Sequence, residues 1–116
     1  MKGVAGALSE ADTPVSVHIE LEPGVEDLLW RLGEDSVTVE LTLDFEGPVQ
    51  KQAVAFPGAS EPSLGFQRVR VGTIDVWWRQ RVVLASMAPR VAHVPRPRRL
   101  VIGRVGRALT AHATYT

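Results

Sequence analysis

Cysteine is absent from this chain of 116 residues. That removes disulfide frameworks, thiolate nucleophiles, cysteine-ligated zinc and cysteine-held iron–sulfur clusters. It is also compatible with the cytoplasm, where thiols stay reduced and disulfides are rare. No apolar run approaches the ~20 residues of a membrane-spanning helix. Residues 1–8, with one lysine and a short apolar run before Glu10, are too weak for a signal peptide. No internal repeat, Gly-rich phosphate loop or serine nucleophile elbow is present. The resulting expectation is a cytoplasmic chain with no cofactor and no membrane partner. These absences leave open whether it is an enzyme, and strand carboxylates such as Glu40 and Asp44 would carry a hydrolase or isomerase only if they lay in a pocket.

Apolar residues make up 45% and charged residues 22%, the balance of a globular chain rather than a disordered one. A chain this long buries roughly two-thirds of its unfolded surface, so it needs no disulfide or metal staple. The formal net charge is zero, but its distribution is uneven. Residues 1–50 carry eleven acids against Lys2 and Arg31; residues 51–116 carry eleven bases against Glu61 and Asp75. A −9 half is followed by a +9 half, which raises the question whether they meet each other or meet partners.

Residues 1–14, rich in Gly, Ala and Ser, read as a flexible lead-in to a single α+β domain over 15–116. Val15, Val17, Ile19 and Leu21 alternate with polar residues, the period of a half-buried strand. Pro23-Gly24 ends it, and the proline suits a helix start. Val25, Leu28, Leu29 and Leu32 then recur at helical spacing, Glu26 and Asp27 fall at the positive end of the dipole, and Gly33 suits a C-terminal cap. Residues 36–46 alternate most clearly, with Val37, Val39, Leu41, Leu43 and Phe45 on one face and Gly47-Pro48 closing the run. Residues 49–55 form a possible partner strand, masked by Gln50, Lys51 and Gln52. A loop over 56–65 leads into a hairpin, 66–71 and 74–78, around Gly72-Thr73, a pair suited to a type II′ turn. Residues 79–88 read as a short second helix, 91–98 as extended loop, and 100–102 and 108–115 as strands separated by Gly103 and Gly106. The expected fold is a small, mainly antiparallel sheet with one or two short helices.

His18, His93 and His112 lie far apart, with no accompanying ligand set, so metal binding is not expected. Glu40, Asp44 and Glu46 alternate along one strand face about 7 Å apart, a legal geometry for paired carboxylates. A strand face paired to bases across the sheet is the more ordinary use of such residues. Gly103-Arg104-Val105-Gly106 is only a short G-x-x-G, set between strand-like runs rather than between helices.

The eleven arginines are the more informative set, since arginine favours bidentate pairing and stacking. Arg68 and Arg70 share a strand face, Arg79 follows Trp77-Trp78, Arg96, Arg98 and Arg99 flank prolines, and Arg104 and Arg107 flank Gly106. Arginine beside exposed tryptophan is also how single-stranded nucleic acid is gripped. The zero net charge favours internal pairing instead, with self-association next. Trp77 and Trp78 are adjacent and point to opposite faces of a strand. Trp78 falls with Ile74 and Val76 in the core. Trp77 shares a face with Asp75, either as an interface anchor or packed beneath an arginine stem.

Ile19-Glu20-Leu21-Glu22-Pro23 leading into a helix, then Val37-Thr38-Val39-Glu40-Leu41, resembles the opening of the HesB-like superfamily. Within it, the small proteins with a paired-cysteine or selenocysteine motif are nearest in pattern. Glu61-Pro62-Ser63-Leu64-Gly65, Ile74-Asp75-Val76-Trp77-Trp78 and Arg99-Leu100-Val101-Ile102 are similar to its later landmarks. The resemblance spans about residues 15–113 and implies a compact, β-rich α+β domain. The family's A-type carriers hold iron–sulfur clusters through cysteines. None stands between Phe45 and Glu61, so no functional residue carries over. The resemblance therefore implies a cysteine-free structural or protein-binding relative.

The leading expectation is a non-enzymatic protein-interaction or structural domain, a homo-oligomer (a dimer) or a binder of another protein. The alternative is an Arg-rich module for nucleic acid or another polyanion. The candidate interaction surface is Arg68, Arg70, Trp77, Arg79, Arg96, Arg98, Arg99, Arg104 and Arg107.

Overall fold

A computed structural model describes residues 17–44, 49–83 and 96–115. Within these residues the order is β1 (His18–Leu21), α1 (Val25–Arg31), β2 (Ser36–Asp44), β3 (Val49–Pro57), a 3-10 turn (Pro62–Leu64), β4 (Gln67–Val71), β5 (Ile74–Val83), β6 (Arg99–Val105) and β7 (Ala108–Thr114). The expected lead-in, the Gly47-Pro48 turn, residues 84–88 of the expected second helix and residues 91–95 of the expected loop lie outside the described residues.

The chain is β-rich α+β, as its patterning indicates, but it builds two sheets rather than one. A three-stranded sheet has the order β1-β6-β7 and a four-stranded sheet the order β3-β2-β5-β4. Neither is purely antiparallel: β1 pairs β6 and β2 pairs β5 in parallel. Parallel neighbours need long crossover connections, which local alternation cannot reveal.

The second correction concerns the helix expected at 79–88. Residues up to Val83 continue β5, in register with β2 from Ser36↔Asp75 to Asp44↔Val83. The long β2 edge supplies hydrogen-bond partners along that run, and this pairing outweighs the local helix preference. A third correction is Gly103, which lies inside β6 rather than separating strands. It is buried, with the Glu22 side chain and Thr110 Oγ1 crowding the space a Cβ would need. At Gly72, φ is +61°, while among the described residues no non-glycine takes a positive φ, which matches the II′ hairpin turn between β4 and β5.

Helix α1 is positioned as expected, with small differences. Gly24, in the left-handed region, is its N-cap, so Pro23 precedes the cap instead of opening the helix. Gly33, with φ +73°, donates to the Trp30 carbonyl at 3.0 Å and stops the helix. Val25, Leu28 and Leu29 are buried, but Leu32 is largely exposed.

The core lies between the sheets. Val37, Val39 and Leu41 of β2 and Ile74, Val76 and Trp78 of β5 form one wall; Ile19, Leu100, Ile102 and Ala113 form the other, with Val25 and Leu29 of α1 joining them. Each valine, leucine and isoleucine among them contributes about 1.5–3 kcal/mol by leaving water. Strand periodicity then determines what the opposite, outer face carries.

Candidate interaction surfaces

The outer face of the four-stranded sheet follows from the register. Thr38 lies between Phe56 on β3 and Trp77 on β5, and Trp77 is opposite Arg68 on β4. One row along, Glu40 lies between Val54 and Arg79; on the other side, Asp75 is opposite Arg70. A stripe of Phe56, Val54 and Trp77 is thus bordered by arginines. Among the described residues no further layer covers this face; the 3-10 turn reaches one corner, where the Leu64 carbonyl accepts from Arg79 Nη1 at 2.6 Å.

Glu40 is the electrostatic centre of the face. Its Oε2 accepts from Arg79 Nε at 2.6 Å and lies 2.5 Å from Nη2, while Arg81 Nη1 stands 3.6 Å from Oε1. The Glu40 and Arg79 side chains retain only 20% and 29% exposure, so water screens this pair poorly. The Arg79 guanidinium also lies over the Phe66 ring, 4.5 Å from its centroid. Glu40 therefore serves as a counter-ion on an open sheet face. The side chains of Asp44 and Glu46, its expected companions, lie outside the described residues.

Arg70 pairs with Asp75 across its own hairpin at 3.2 Å. The Arg68 guanidinium stands 5.6 Å from the Trp77 centroid, so the half-buried tryptophan packs beneath an arginine. Its indole N–H is buried without a partner among the described residues, as is that of Trp78 in the core. Phe56, 52% exposed, is a member of this surface that sequence reasoning missed. Its signal was the period of β3, obscured by Gln50, Lys51 and Gln52.

The other arginines lie elsewhere. Arg99 is on the outer face of the three-stranded sheet, where Nε and Nη2 each donate to Glu20 at 2.9 Å. Those hydrogen bonds hold the Glu20 carboxyl below its ordinary value and raise the Arg99 guanidinium above its own. His18 Nε2 stands 3.0 Å from the same carboxylate. Arg98 and Arg96 are exposed just before β6, and Arg96 lines a cleft of about 220 Å³ with Gly65, Gln67, Trp78, Arg79, Gln80 and Val82. Next to it, Tyr115 donates its hydroxyl to Gln80 Oε1 at 3.2 Å, and burial pushes the phenol's pKa up. Arg104 and Arg107 meet at a second cleft, between α1 and the β6–β7 hairpin. The structure thus brings Arg68, Arg70, Trp77 and Arg79 together, sets Arg96 beside Arg79 at the first cleft, and places Arg98, Arg99, Arg104 and Arg107 apart from them.

Among the described residues no group of three or more His, Asp or Glu side chains is arranged to hold a metal. No described helix is long and apolar enough to cross a membrane. The chain matches no family model, no curated protein and no solved structure.

Proposed function

We propose that this chain is a non-enzymatic interaction domain that associates with a second copy of itself through the outer face of the four-stranded sheet. The observation that carries the reading is the Phe56–Val54–Trp77 stripe on a face that no described element covers. Aromatic residues with arginine at their border are the composition of binding hot spots. A two-fold contact centred on β3 seats Phe56 and Val54 against their counterparts. Arg68 and Arg70 then lie three strand spacings away, about 14 Å, beyond the ~8 Å screening length at physiological salt. Glu40, Arg79 and Arg81 enter as an already paired cluster, which limits the desolvation cost.

On the HesB-like reading of the fold, the chain is a cysteine-free relative that acts through protein contacts rather than through a cluster. The polyanion reading has less support: Arg70, Arg79 and Arg99 already face carboxylates, and the arginines are divided among separate surfaces.

Sedimentation equilibrium at low and high salt tests self-association. A dimer that grows with concentration and persists in salt is expected, and Phe56→Asp should abolish it while leaving the monomer folded by circular dichroism, because Phe56 is already half exposed. A monomer at all concentrations, or a dimer that survives Phe56→Asp, would refute the reading.

A further inference from the structure

Helix α1 and the β6–β7 hairpin border a cleft of about 330 Å³, lined by Leu28, Arg31, Leu32, Arg104, Gly106 and Arg107. Buried Leu28 and exposed Leu32 make one wall apolar. The remaining side chains are three arginines, and among the described residues no acidic one lines the cleft. Arg31 is engaged by Asp27 on its own helix, Nη2 to Oδ2 3.1 Å. Among the described residues Arg104 reaches only the Gly24 carbonyl, at 3.4 Å, and Arg107 meets no carboxylate. Two guanidiniums therefore stand uncompensated beside an apolar wall.

We propose that this cleft binds a phosphomonoester carried on a small apolar body. The charges match: such a group carries about −1.5 to −2 near neutral pH and offers three strong acceptor oxygens. Arg104 and Arg107 supply two positive charges and the planar donor forks that phosphate oxygens accept. A carboxylate, with one charge, would leave one of them unmet. The volume falls at the small end of ligand pockets, roughly 300–1,000 Å³, enough for a phosphate and one ring against Leu28 and Leu32. The cleft shares no residue with the outer sheet face, so it stands or falls separately from self-association.

Phenyl phosphate is the probe, titrated into isotope-labelled protein at low salt and followed by amide chemical shifts, with benzoate and inorganic phosphate as comparisons. Saturable shifts at Leu28, Leu32 and Gly106 are expected, with weaker binding of inorganic phosphate and of benzoate. Arg104→Gln and Arg107→Gln should each weaken phenyl phosphate by about tenfold or more. Both side chains are exposed, so thermal stability should not change. Affinity should also fall below about pH 6, where the dianion takes up a proton. The proposal is overturned by absence of saturable shifts, by shifts scattered over the other arginines, by equal affinity for benzoate, or by variants that bind unchanged.

Discussion

Glu40 is where the acidic and basic halves of the chain meet most tightly, and its removal should be felt in stability. Glu40→Gln keeps the volume and one acceptor but deletes the charge facing Arg79 and Arg81. Hydrogen bonds to charged groups contribute about 1.5–3 kcal/mol, and breaking a fully buried ion pair costs about 3–5 kcal/mol. With 20% and 29% of the two side chains exposed, the pair sits below the buried extreme. Arg81, at 3.6 Å and more than half exposed, adds little. The expected loss is about 2 kcal/mol. At a urea dependence of about 1–3 kcal/mol per molar, the unfolding midpoint should fall by roughly 1 M. Glu20→Gln provides the control: its pair with Arg99 has the better two-point geometry but stands in solvent, so its midpoint should stay close to that of the wild type. A double-mutant cycle with Arg79→Gln isolates the pair from the Leu64 and Phe66 contacts that Arg79 also makes. Coupling of about 1–2 kcal/mol is expected. If the two losses add within about 0.5 kcal/mol, or if Glu20→Gln costs as much as Glu40→Gln, burial is not what gives the Glu40 pair its strength.

The Glu20 carboxyl should titrate below its ordinary value near 4.5, because Arg99 hydrogen-bonds its charged form. The lowered folded-state pKa means that the contribution is complete above the unfolded value and lost as pH falls through the folded one. Carboxyl-detected NMR should show the midpoint rising in Arg99→Gln; an unchanged midpoint would remove Arg99 as the cause. Tyr115 is the only tyrosine in the chain, so phenolate absorbance reports it alone. Burial raises its pKa above 10.0, so folding favours the neutral phenol, and stability should decline as pH rises through that range. A native titration that coincides with the urea-unfolded one would contradict the burial argument.

Several elements were legible because their signals are local. The alternation over 36–44, the spacing of Val25, Leu28 and Leu29, the Gly72-Thr73 turn and the opposite orientations of Trp77 and Trp78 all depend on neighbours within a few residues. What escaped depends on distant partners. Gln80 occupies a core-side position of β5, since it is in register with buried Leu41, and so it interrupts the alternation that would have extended the strand. Its polarity is tolerated there because the Tyr115 hydroxyl reaches it from 35 residues away. Gly103 looked like a breaker because only the folded chain brings Glu22 over it. The charge pairing has the same limit. Alternation alone does not say which arginines face Glu40: among the described strands β4, with Arg68 and Arg70, pairs with β5, and it is β5 that lies against β2. Arg79 and Arg81 therefore reach the carboxylate instead.

The segregated charge has a structural use in the two places where no turn sets the register. Three strand junctions, β2–β3, β4–β5 and β6–β7, join consecutive strands. The two parallel junctions each join a strand of the acidic half to a strand of the arginine half. At one, Glu40 is directly opposite Arg79; at the other, Arg99 is opposite His18 and reaches Glu20 one diagonal away. A slip of one residue at β2–β5 would carry Arg79 into the core and Trp78 out of it. Pairing β1 with β2 would bring Glu20 and Glu22 toward Glu40, and pairing β5 with β6 would bring Arg79 and Arg81 toward Arg99 and Arg104. Opposite charges across strands contribute only about 0.2–1 kcal/mol per pair, far less than the apolar rows that hold the sheets together. Apolar rows of Val, Leu and Ile are nearly interchangeable, however, and charge of opposite sign is not. The Glu40–Arg79 and Glu20–Arg99 pairs thus favour these strand partners and this register, while the buried rows supply the stability of the pairing once made.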